Sequence, residues 1–100
     1  GTYQLGGHPG ALADMETAGK WYEEQQPGLG ADVSRKVRQA INTLPANPLI
    51  YCLRERRRRV RWLFPPRFPH RIVYRVQGDL ITIIAVIHAA RHDRHWRQRL

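Results

Sequence analysis

Histidine and arginine are the residues through which this chain can do chemistry. His70 and His88 can move protons near neutral pH, because an imidazole titrates there. Arg71 and Arg91 can hold phosphate or stabilise charge developing on it. With His88 beside the end of a strand, Arg71, His88 and Arg91 form one candidate polar constellation. Arg54, Arg56, Arg57, Arg58, Arg59 and Arg61 form a second group, suited to phosphates through charge and bidentate geometry. Its alternative reading is a solvated turn. Glu55 is the carboxylate candidate for acid–base work. No Gly-rich phosphate loop, Ser-His-Asp arrangement or Cys-x-x-Cys motif is present. His8, His92 and His95 lack metal-ligand spacing, so no metal and no cofactor are expected.

These residues sit in a lopsided charge distribution. Of 17 Lys and Arg residues, thirteen lie between Arg54 and Arg99, against three acids there, Glu55, Asp79 and Asp93. The first half balances Lys20, Arg35, Lys36 and Arg38 against five acids, so the net charge of +9 belongs to the second half. Aromatic and β-branched residues interleave with the arginines from Val60 to Tyr74, which a disordered basic tail would lack. A folded sheet with a cationic face is expected, and an acidic partner for it. One hundred residues make a single domain, 1–100. Residues 1–10 show no basic segment followed by an apolar stretch, and Cys52 is the only cysteine, so a cytoplasmic location is expected. The apolar run from Leu80 to Ile87 is far too short to span a membrane, and no membrane partner is expected.

The elements that must position the site follow from periodicity. Residues 2–7 suggest a first strand. Pro9 suits a first helical turn, and a helix from Gly10 to about Gln26 would bury Leu12, Met15, Gly19 and Tyr22. Pro27-Gly28 ends it. Val33, Val37, Ala40, Ile41 and Leu44 make the apolar stripe of a second helix, closed by Pro45 and Pro48. The period then becomes two. Strands are expected at Leu49 to Leu53, Val60 to Phe64, Phe68 to Val76, and Leu80 to Ile87, the last central and covered on both faces. His92 to Leu100 would form a short terminal helix carrying Trp96 onto the sheet. The order is β-α-α-β-β-β, an α+β fold with a helical hairpin on a mainly antiparallel sheet.

Three segments in this order resemble the RelE/ParE superfamily of toxins from type II toxin–antitoxin modules. Trp21-Tyr22-Glu23-Glu24-Gln25 with Pro27-Gly28-Leu29-Gly30 is similar to the family's helical hairpin. Arg61, then Arg67-Phe68-Pro69-His70-Arg71-Ile72-Val73-Tyr74, is similar to its Phe-Pro-Tyr strand, with His70 in place of the Tyr. Ile84-Ala85-Val86-Ile87-His88 followed by Arg91, Trp96 and Arg99 is similar to its closing pattern, with His92-Asp93 where Asp-Pro is common. The Arg tract at 56–59 is denser than the family's pattern. Gly28-Leu29-Gly30 and Phe68-Pro69 favour the ParE-type branch.

The resemblance implies a growth-inhibiting toxin neutralised by a cognate acidic antitoxin, with operator DNA reached indirectly through that antitoxin. Trp21 and Tyr22 are then the expected antitoxin contacts. Two mechanisms follow from the two branches. A ParE-type toxin docks on DNA gyrase, and Arg58, Arg61, Arg71 and Arg91 are the expected target-binding residues. A RelE-type toxin enters the ribosome and cuts mRNA, which needs a base for the 2′-OH proton, an acid for the 5′-oxygen and cations at the phosphate. His88, Arg71 and Arg91 are its candidate catalytic residues. A non-toxic basic interaction module is the third reading.

Overall fold

The structure is a computed structural model that describes residues 2–65, 67–88 and 94–100. Strand β1 spans Gln4–Gly7, helix α1 Pro9–Gln25 and helix α2 Leu29–Asn42, followed by a 3₁₀ turn at Leu44–Ala46. Strands β2 (Leu53–Glu55), β3 (Val60–Leu63), β4 (His70–Gln77) and β5 (Leu80–His88) follow, then helix α3 at Arg94–Arg97. The sheet has five strands in the order β1-β5-β4-β3-β2. Its pairs are antiparallel except β1 with β5, which is parallel. This is the expected α+β arrangement, with four strands after the helices where the order β-α-α-β-β-β counts three. No helix among the described residues is long and apolar enough to cross a membrane.

The helical hairpin owes its shape to a few residues. His8 caps α1, its Nδ1 accepting the Gly10 N–H at 2.9 Å, and Pro9 fills the first turn. Gly28 adopts φ 88°, a left-handed conformation that L side chains resist. Glu23 reaches across the turn and accepts the N–H groups of Gly28 at 2.8 Å and Gly30 at 3.0 Å. Those N–H groups start α2 and have no helical partner of their own. A Cβ on Gly30 would stand 2.4 Å from the carbonyl oxygen of Gly19. The two helices therefore touch backbone to backbone, and only glycine fits.

The buried residues of α2, Val33, Val37 and Ile41, with Leu44 beyond, follow the expected stripe. The α1 stripe holds at Met15, Gly19 and Tyr22 and fails at Leu12. Leu12 is 63% exposed, while Ala11 and Tyr22 are buried and Met15 packs against the core. Hydropathy alone selects Leu12, but the close approach of α1 admits the small side chain one position earlier. The strand expected at Leu49 to Leu53 is also displaced. Only Leu53–Glu55 pairs, and Leu49 and Ile50 lie half-exposed or more. The buried hydroxyl of Tyr74 donates to the Pro48 carbonyl at 2.6 Å, and Arg61 Nε donates to the Tyr51 carbonyl at 3.1 Å. These bonds hold residues 48–51 as a loop across the β3–β4 surface.

β5 is covered on both faces as expected, but β4 takes the centre of the sheet, because β1 adds to the far edge of β5. Tyr74 pairs with Ile83 and Val73 with Ala85, so Ile84 is an extra residue, a β-bulge. The bulge inverts the alternation of β5. Ile81, Ile83 and Val86 face the helices with Ile72, Tyr74 and Val76. Ile84, Ala85 and Ile87 face the opposite side with Val60, Val73 and the fully buried Trp96. The terminal helix expected over residues 92–100 is thus one turn, Arg94–Arg97, and seats Trp96 as anticipated; residues 92 and 93 lie outside the described residues.

β1 stops pairing at Gly7 with Ile83, so the next polar groups of β5 need other partners. Asp14 Oδ2 accepts the Val86 N–H at 3.0 Å, and Arg99 Nη1 donates to the Ile84 carbonyl at 3.0 Å. Asp14 and Arg99 also pair with each other at 2.8 Å, with side chains only 11% and 15% exposed. Removing one member of a buried pair costs about 3–5 kcal/mol, because the survivor is left charged and unmatched. Arg99→Leu is therefore expected to lower the unfolding free energy by about 3 kcal/mol in urea denaturation. Arg35→Leu, on the exposed face of α2, should change it by less than about 1 kcal/mol.

Candidate functional site

Cross-strand pairing decides which site residues meet. His70 and His88 are directly paired on β4 and β5, on the face that carries the helices. Their ring centroids are 5.4 Å apart. Tyr22 of α1 packs on the same group, its hydroxyl 3.4 Å from His70 Nδ1 and its ring 5.7 Å from Phe68. Val86, Ile87, Asp14, Thr17, Ala18 and Trp21 complete the lining of an open cavity of about 500 Å³ between α1 and the end of β5. Its walls are mostly apolar, with two imidazoles at one end.

Burial lowers the pKa of His70 below the ordinary 6.5, and the neighbouring His88 lowers it further. Burial likewise raises Tyr22 above its usual value of 10.0. Tyr74, deeper in the same core, is pushed up to about 12 by burial, a rise that Arg61 opposes and Tyr51 aids. The hydroxyls are therefore neutral donors, and His70 is a neutral imidazole at physiological pH.

Arg71 lies on the opposite face. It pairs with Ile87, is 3% exposed, and stacks over the Trp62 ring at 4.5 Å. Arg54, from the far side of β3, stacks over the same ring at 4.9 Å. At the end of β5, Arg71 Nη1 donates to the His88 carbonyl at 3.2 Å. Arg75 lies on this face too, and Trp62 Nε1 and Arg75 Nε are buried without a hydrogen-bond partner among the described residues. Trp62 is held between guanidinium groups.

The expected basic centre therefore separates. Arg61 pairs with Tyr74 and points to the helix face, where Tyr51 holds it. Arg71 points to the other face. Arg58 stands at the β2–β3 turn, 3.9 Å from Glu55. Arg91 lies outside the described residues. The aromatic pair divides as well: Tyr22 is 8% exposed and part of the core, whereas Trp21 is 56% exposed at the cavity rim. Asp14 and Thr17, which line that cavity, were invisible in the sequence as site residues. Nothing in α1 alone places them against β5.

The profile of the family described as "ParE toxin of type II toxin-antitoxin system, parDE" matches residues 8–93. Among solved structures, this chain is similar to one from the chromosomal ParDE TA system of P. aeruginosa, at 22% identity and a TM-score of 0.78. That match covers 87% of this chain and 96% of the other. A mutant E. coli toxin RelE in the free state is similar at 17% identity and a TM-score of 0.73, covering 100% of this chain and 99% of the other. Both likenesses describe the fold. No curated protein matches the sequence.

The histidine pair carries a pH signature. His70 has a depressed pKa in the folded state, so the unfolded chain binds its proton more tightly. Its contribution to stability is then full above about pH 6.5 and is lost as pH falls through the depressed value. Tyr22 from α1 and His88 from β5 are the titratable groups in contact with it. The unfolding temperature of the wild type should fall from pH 7.5 toward pH 5, and the fall should be shallower in His70→Gln. Parallel curves would assign the acid sensitivity to other groups.

Proposed function

The chain belongs to the ParE toxin family of type II toxin–antitoxin systems, and from that premise we propose that it arrests growth by binding DNA gyrase and is neutralised by a cognate acidic antitoxin. One observation carries the choice of binding over catalysis. RNA cleavage by a protein of this size needs a proton acceptor, a proton donor and a cation around one phosphate. Here the imidazoles of His70 and His88 face the helices, and the Arg71 guanidinium faces the other side of the sheet beneath Trp62. Among the described residues, the candidate acid–base groups and the candidate cation therefore do not converge.

The antitoxin reading rests on Trp21. A half-exposed indole at the rim of a largely apolar cavity suits an aromatic anchor for a partner segment. An acidic, partly disordered antitoxin would fold as it wraps the hairpin and meets the basic half of the molecule. The cytoplasm, where gyrase and antitoxin reside, is the proposed location.

Induced alone, the chain should stop bacterial growth, and a co-expressed acidic partner should restore it. Normal growth at high levels of soluble protein would refute the toxin reading. In parallel assays, purified protein should inhibit supercoiling and leave ribosome-bound mRNA intact, and His88→Ala should retain substantial toxicity. Cleavage of ribosome-bound mRNA that His88→Ala abolishes in a folded protein would install the endoribonuclease reading instead. Trp21→Ala should fold normally, because its ring is exposed, and should weaken antitoxin binding by more than about 2 kcal/mol. Unchanged affinity in calorimetry would remove Trp21 from the interface.

A further inference from the structure

The turn between β2 and β3 concentrates charge in a way its geometry does not require. Arginine occupies positions 54, 56, 57, 58 and 59, and the one acid among them, Glu55, is engaged within the turn. Its Oε1 accepts the N–H groups of Arg57 at 2.8 Å and Arg58 at 3.2 Å, and its Oε2 lies 3.9 Å from Arg58 Nε. Arg59 closes the turn at φ 59°, a left-handed conformation usually taken by Gly or Asn. Arg54 is fixed against Trp62. Arg56, Arg57, Arg58 and Arg59 are all exposed. A flexible segment would spread such charges apart. This turn, stapled by Glu55, holds them together at the edge of the five-stranded sheet.

We propose that the β2–β3 hairpin is a docking element for duplex DNA, gripping the phosphate backbone through Arg56, Arg57, Arg58 and Arg59. This contact is direct, and it does not depend on the identity of the toxin's target. Three features select DNA among anionic partners. Guanidinium forks match phosphate oxygens and tolerate any base sequence. Protein interfaces need an apolar core with aromatic anchors, and none of the exposed large hydrophobic residues lies between Arg54 and Arg61. Arginine side chains can enter the major groove of B-form DNA, about 12 Å wide, whereas the major groove of an RNA duplex is too narrow for side chains.

The test is fluorescence anisotropy of purified full-length chain with a mixed-sequence DNA duplex across a salt series. The tip variant Arg56→Ala, Arg57→Ala, Arg59→Gly keeps Arg58 on Glu55 and places glycine where φ is positive. Lys20→Ala, Lys36→Ala, Arg38→Ala removes the same charge from the helical hairpin. The tip variant should bind at least tenfold more weakly, and its slope of log K against log salt should be shallower by about 2 to 3, one phosphate contact contributing about 0.9. The helix variant should keep most of the wild-type affinity and slope. Equal losses in both variants would reduce the effect to net charge and overturn the proposal. So would tighter binding to an RNA duplex, or displacement of DNA by polyglutamate at equal charge, which would make the tip a surface for acidic protein. Circular dichroism melting of the tip variant, expected to match the wild type, separates lost contacts from lost fold.

Discussion

The joint between Asp14, Arg99 and the bulge at Ile84 is the constraint on which the rest of this fold depends. A sheet edge exposes backbone donors and acceptors, and burying them unpaired costs more than a hydrogen bond returns. β1 covers the lower half of β5 and then becomes α1, which leaves the bulged segment without a strand partner. One carboxylate and one guanidinium fill that gap, each bonded to β5 and to the other. Because Asp14 comes from α1 and Arg99 from the chain's last residues, a single buried pair joins three elements distant in sequence. Arg99 also lies where a side chain on Gly10 would stand, 2.6 Å from its guanidinium carbon, so a larger residue there would have to displace it.

The bulge has a consequence for function. Below it Tyr74 pairs with Ile83, and above it His70 pairs with His88. If Ile84 were paired in a regular ladder instead of bulged out, Ile87 would stand opposite His70 and His88 would turn away from Tyr22. The imidazole pair therefore depends on the strand absorbing Ile84 as a bulge. The same phase assigns Ile87 and Arg71 to the far face, where Trp96 and Trp62 cover them. A register feature in the core thus separates His70 and His88 from Arg71, the separation on which the proposed binding mechanism rests.

Much of this was legible in the chain. Pro9 and Pro27-Gly28 mark the ends of α1, the period of α2 is unbroken, and the alternation of β4 assigns Ile72, Tyr74 and Val76 to the helix side. The bulge was not legible, because β5 is apolar on both faces and a phase reversal in an all-apolar run leaves no trace in hydropathy. The exposure of Leu12 at the start of α1 was hidden for a related reason. Burial of Ala11 instead of Leu12 follows from how closely α1 approaches the sheet, and that distance is a tertiary quantity. Arg61 and Arg71 look equivalent in sequence, but they sit on different strands, and only the pairing register puts them on opposite faces.

The arginines divide by task, and the division refines what a charge of +9 means for this molecule. Arg71 and Arg99 are almost fully withdrawn from water, and Arg54 stacks on an indole. Guanidinium suits these places because it is weakly hydrated, planar and rich in donors, so it can stack and bond to backbone carbonyls together. A small domain with a short C-terminal helix uses such residues as fasteners where a larger protein would bury more apolar surface. Charge held in this way contributes little to recognition at a distance. Among the described residues, the densest run of exposed cations is the β2–β3 tip, where one glutamate shapes the turn and four successive arginines face water. A polyanion therefore meets a local field there that the net charge of the chain does not describe.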